Sequence, residues 1–160
     1  VIRVHSTLPV RETFFLLSKL LLFLLADLVF TLLLTLMNLG LSEGLSVLPA
    51  VLVQAGILSL IMALTGFLCA ILLQGFRQFS LFYLILAVFI TTPVFLAGQT
   101  GIAWDWISFH PMYHLFMAVK NAYFGIKPAG ILYYAACVTA VFSLFLMVRR
   151  ALVREMAKEG

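Results

Sequence analysis

The sequence predicts an all-α integral membrane bundle of about four transmembrane helices, with an outer interfacial or re-entrant helical hairpin before the last of them. Three observations carry the prediction. Of 160 residues, 64% are hydrophobic and 10% charged, whereas a soluble domain carries roughly 25% charged residues; this chain cannot clothe a water-facing surface. The mean hydropathy of +1.18 is gathered into long apolar runs. The ionisable residues fall between those runs, and the basic ones alternate toward one side.

In chain order, residues 1–12 form a polar, basic lead-in expected as a cytoplasmic segment. Pro9 suits a first helical turn, where its missing N–H costs nothing. The first span is read at 13–38. At ~1.5 Å rise per residue it exceeds a ~30 Å hydrocarbon core, so Lys19 near its start extends its ammonium toward headgroups. Residues 38–44, with two glycines and Glu43, read as a turn on the far side. The second span is read at 47–74 with Pro49 in its first turn, and Gln74, Gly75, Arg77 and Gln78 return the chain to the basic side. The third, 80–98, meets Thr91-Thr92-Pro93, where a kink or an exit is expected.

Residues 99–128 are too polar and broken to cross. They carry Trp104, Trp106, Phe109, Tyr113, Phe116, Tyr123 and Phe124, rings that favour a membrane–water boundary. A short helix is expected from His110 to Phe124, lying in the outer interface or dipping into it. The fourth span, 130–148, stops at Arg149-Arg150, leaving 149–160 as a cytoplasmic tail. The transmembrane domain is thus 13–148.

With both ends on one side, that side holds Arg3, Arg11, Lys19, Arg77, Arg149, Arg150, Arg154 and Lys158, and the other holds Lys120 and Lys127. Such a bias marks the cytoplasmic face. The net charge of +4 is therefore read as topology and not as a nucleic-acid footprint. Cys69 and Cys137 fall inside apolar runs and suggest no disulfide framework.

Few groups within the spans carry chemistry. Asp27 lies mid-span, where a carboxylate costs several kcal/mol on insertion scales (about 2.5–3.5). Two readings stand: a group on a translocation path or relay, or an interhelical hydrogen bond with Gln54 or Thr65. Ala55, Ser59, Ala63, Gly66 and Ala70 make a small-residue stripe suited to helix packing, within the chain or across a dimer. His110 and His114, with Pro111 between them, are spaced to share a helix face, but zinc needs a third protein ligand and none has suitable spacing. No phosphate-binding loop, zinc-protease motif or nucleophile elbow is present. The chain is read as no enzyme, with no catalytic, cofactor-binding or metal residues.

A family resemblance emerges from particular residues. Arg3-Val4, Ser6-Thr7, Pro9-Val10-Arg11-Glu12 and Phe15-Leu16-Leu17-Ser18-Lys19-Leu20 resemble the cytoplasmic coupling segment and following span of ABC type 2 transporter permeases, closest to fluoroquinolone or multidrug export permeases. His110-Pro111-Met112-Tyr113-His114 and 115–125 resemble that family's outer re-entrant hairpin. The closing Arg149-Arg150 resembles its cytoplasmic end. Leu8 stands between Thr7 and Pro9 where the family pattern has Thr-Pro. The resemblance implies that the chain corresponds to spans three to six, with two spans upstream. It implies export of a drug, lipid or similar amphipathic cargo. A separate ATPase would use ATP and Mg, no cofactor would be bound by this chain, and a second permease copy or homologue would complete a dimer in the cell membrane. Arg3, Pro9, Arg11 and Glu12 would then touch the ATPase. Two readings from other classes remain: a channel or secondary transporter titrating Asp27, and a structural membrane assembly partner.

Overall fold

The computed structural model describes residues 12–73, 76–98, 107, 109–126 and 130–159. The described residues are helical, with no strand among them: α1 (Glu12–Leu72), α2 (Phe76–Gly98), α3 (Pro111–Tyr123) and α4 (Ile131–Glu159). Helix α1 is one element only by its hydrogen-bond pattern. At Gly40 (φ 75, ψ 175) its backbone leaves helical geometry, in a region essentially reserved for glycine. The chain reverses there into two arms, 12–39 and 41–72.

The contacts identify an antiparallel hairpin. A Cβ on Gly44 would lie 3.0 Å from Leu36 Cδ2 and 3.5 Å from the Thr35 carbonyl oxygen, so glycine is what lets the arms meet just past the turn. Further along, a Cβ on Gly56 would touch Leu24 and Leu28 at 3.7 Å. Near the open end the Phe23 and Phe67 rings meet edge-on at 5.9 Å, and Leu16 and Leu20 cluster with Leu64 and Val148.

Helix α4 lies along this hairpin and runs parallel to the second arm. Its start meets the hairpin at Gln54, Cys137 packs on Ile61, and Val148 joins Leu64. Parallel running brings Arg149 and Arg150 to the hairpin end that also carries Lys19, while Asn38 and Glu43 sit beside Gly40 at the other end. Helix α2 leaves from the same end as Lys19, with Arg77 in its first turn. It touches the hairpin and α3 sparingly, and Leu81, Leu84, Ile85 and Val88 are exposed.

Helix α3 is fixed at both ends by local chemistry. His110 caps its start: the Met112 N–H donates to His110 Nδ1 at 3.2 Å, and Pro111 follows at the first position. Gly125 (φ 65) ends it. The Ile126 N–H donates to the Asn121 carbonyl and the Gly125 N–H to the Ala122 carbonyl, a Schellman cap. Leu115 and Met112 pack on Ile57, Leu58 and Ile61, so α3 reaches the level of the middle of the second arm.

Two helices, Thr13–Leu72 and Ile131–Glu155, are long and apolar enough to cross a membrane. Only 11% of the most apolar stretch of each is buried, which distinguishes them from the core helices of a soluble protein. Each arm of the first reaches about 42 to 48 Å at 1.5 Å per residue, beyond a ~30 Å hydrocarbon core. Cys69 and Cys137 are free and buried.

Several sequence expectations are corrected. The turn at 38–44 contracts to Gly40, because Asn38 donates to the Leu34 carbonyl and Ser46 to that of Glu43, keeping both flanks helical. Pro49 consequently lies inside the helix, not in its first turn. Helix α2 continues through Pro93 to Gly98. The tail does not unwind at Arg149: residues 149–159 prolong α4, since Ala, Leu, Arg, Glu and Lys there are good helix formers.

Candidate functional site

Among the polar groups described within the hairpin, Gln54 and Thr65 are satisfied within the chain, whereas Asp27 faces outward. On the satisfied side, Gln54 is 4% exposed. Its Nε2 donates to the Tyr134 hydroxyl at 2.8 Å, and its Oε1 accepts from the Tyr133 hydroxyl at 3.0 Å. A buried amide in an apolar helix needs such partners, and two adjacent tyrosines at the start of α4 meet its donor and acceptor together. Beside them an apolar groove of about 570 Å³ opens between hairpin and α4, lined by residues such as Leu17, Leu21, Ile57, Leu60, Val138 and Phe142.

Thr65 donates to the Ile61 carbonyl of its own helix at 2.7 Å. The expected hydrogen bond from Asp27 to Gln54 or Thr65 is therefore absent, and that expectation is corrected: Gln54 and Thr65 are engaged elsewhere. Among the described residues Asp27 has no ion-pair or hydrogen-bonding partner. It stands near the middle of the first arm and is exposed.

Asp27 lines a second groove, of about 720 Å³, between the hairpin and α2. Phe23, Phe67, Phe79 and Tyr83 supply aromatic walls. Phe79 and Tyr83 stack at 5.7 Å and 24°. The floor is the small-residue stripe, Ser59, Ala63, Gly66 and Ala70. A Cβ placed on Gly66 would meet nothing within 4 Å, so no helix among the described residues packs closely on it. Ala55, at the head of the stripe, is buried. The close approach between arms falls instead at Gly56 and Gly44, on a different face.

At the start of α3, the His110 ring lies tilted against Phe89 of α2 at a centroid distance of 4.4 Å and 53°, joining α3 to α2. His114 is exposed, its ring edge-on to Tyr113 at 5.5 Å. One histidine caps the helix and the other sits on its first turns, and among the described residues no group of three or more His, Cys, Asp or Glu comes together. Arg3, Pro9, Arg11, Trp104 and Trp106 lie outside the described residues, and of Glu12 only the backbone, which opens α1, is described.

Sequence reasoning missed Tyr133 and Tyr134. The available signal was a pair of hydroxyls within an apolar run, at the level where Gln54 interrupts another. No family model, no curated protein and no solved structure matches the chain.

Proposed function

We propose that the chain is a membrane-spanning permease subunit of an ATP-driven exporter, working with a separate ATPase and a second permease copy or homologue. The observation that carries this reading is the open groove with Asp27 on its wall, set in helices whose apolar side chains face outward. Four crossings, two from the hairpin and one each from α2 and α4, put the basic ends of all the helices at the cytoplasmic face of the cell membrane, in keeping with positive-inside orientation. The outer hairpin is then re-entrant, since α3 packs at mid-height of the second arm.

On this reading the motor is a separate ATPase subunit, in keeping with the resemblance and with a sequence that holds no nucleotide-binding motif. The resemblance of residues 3–20 to a coupling segment supplies its point of attachment. Motion at the motor must reach the helices through a rigid lever, and α1 runs without interruption from Glu12 to the break at Gly40. Likeness of fold does not set the cargo.

The test is ATP turnover and cargo export by the chain reconstituted with a nucleotide-binding partner. Substituting Arg11→Ala is expected to reduce both together while the chain still inserts. Solute movement by the chain without any such partner would end this reading. It would favour the second one, a channel or secondary transporter, which the unpartnered Asp27 also supports. In that case Asp27→Asn abolishes flux while assembly survives.

A further inference from the structure

Asp27 is the only ionisable side chain between Lys19 and Glu43, and a charge in such surroundings is retained at a cost unless something compensates it. Among the described residues nothing does so: Gln54 is held by Tyr133 and Tyr134, and Thr65 by its own helix. What shares the groove with Asp27 is a set of rings, Phe23, Phe67, Phe79 and Tyr83, above a floor of small residues.

The geometry points to a binding site in this groove for a lipophilic organic monocation, a single positive charge shielded by aryl or alkyl groups, with Asp27 as its counter-ion. The volume of about 720 Å³ lies in the range of sites for drug-sized molecules, which are mostly apolar with a few placed polar groups. One carboxylate matches one charge. A divalent metal needs several oxygen ligands, and among the described residues none gathers here. A shielded cation sheds little hydration on entry, and aromatic faces attract it through their quadrupoles. An acyl chain would fill the volume and leave Asp27 uncompensated. A second copy of this chain meeting the groove about a two-fold axis would present the same patch, and with it a like charge. This inference deepens the exporter reading by naming a cargo class, and its test needs no motor.

The full chain in lipid nanodiscs is titrated with radiolabelled tetraphenylphosphonium, with its anionic isostere tetraphenylborate as competitor. Saturable binding of the cation is expected, without competition by the borate. Asp27→Asn should weaken it at least tenfold, about 1.4 kcal/mol, and Asp27→Glu should stay within about threefold, or about 0.7 kcal/mol. Gly66→Phe, which projects into open space, should abolish it in a chain that elutes as the parent does.

Unchanged affinity in Asp27→Asn, or equal competition by tetraphenylborate, would overturn the proposal in favour of simple apolar partition. So would absent cation binding accompanied by a change of oligomeric state in Asp27→Asn, which would make the groove a subunit interface. If cation binding holds while ATP turnover proves independent of Arg11, the exporter reading falls and the site stands.

Discussion

Two grooves flank the hairpin, and they handle polarity in opposite ways. The one shared with α4 is continuous with the buried cluster of Leu16, Leu20, Leu64 and Val148. Its polar neighbour Gln54 is satisfied by two tyrosines. The one shared with α2 is open above Gly66 and, among the described residues, holds a carboxylate that no other group answers. The first is how helices are held together where apolar burial alone gives no preference among partners, by close packing and a few interhelical hydrogen bonds. The second resembles a surface awaiting something from outside the chain.

The largest effect expected from this contrast is on the packed side. Leu64→Ala empties a fully buried position and should lower stability by about 2–5 kcal/mol, measured by denaturant unfolding in bicelles. Gly66→Leu on the open side should leave stability unchanged or raise it by up to about 1 kcal/mol. Comparable losses at both positions would erase the distinction.

Gly40→Ala tests the feature both grooves share. Its φ of 75° with ψ of 175° costs a non-glycine residue of order 1–3 kcal/mol. A loss near zero would mean that the hairpin turns elsewhere.

The polar groups come next. Gln54→Leu with Tyr134→Phe, taken as a double-mutant cycle, should give a coupling of about 0.6 kcal/mol and no more than about 1.7. Asp27→Asn should change stability least, by under about 0.5 kcal/mol, because no partner is lost. A loss above 2 kcal/mol would return Asp27 to an interhelical role and close the contrast from the other side.

Much of the architecture was legible because hydropathy and chain length act locally. The apolar runs placed the helices, glycine density found the hairpin within a few residues of Gly40, and the ring-rich stretch from His110 to Phe124 placed α3. Boundaries were less legible. Polar flanks at Asn38, Glu43 and 149–159 stay helical, where sequence hydropathy sees only an ending. Facing was least legible. In a helix that is apolar nearly all round, no periodic polar stripe marks which side is buried. The stripe from Ser59 to Ala70 could therefore be read as a packing face with no sign that it also lines a groove, and Asp27 could be assigned to Gln54. The true partners, Tyr133 and Tyr134, lie about eighty residues away, and only the parallel course of α4 along the second arm brings them there.

The central claim is that the hairpin carries the chain across a bilayer and back, with its basic end inside. Single cysteines at Glu43 and Arg154, labelled by a membrane-impermeant maleimide on intact cells, test it most directly, since Cys69 and Cys137 are buried. The account predicts that Glu43→Cys labels from outside and that Arg154→Cys labels only after the membrane is opened. Equal labelling of the two, or the reverse order, would contradict it.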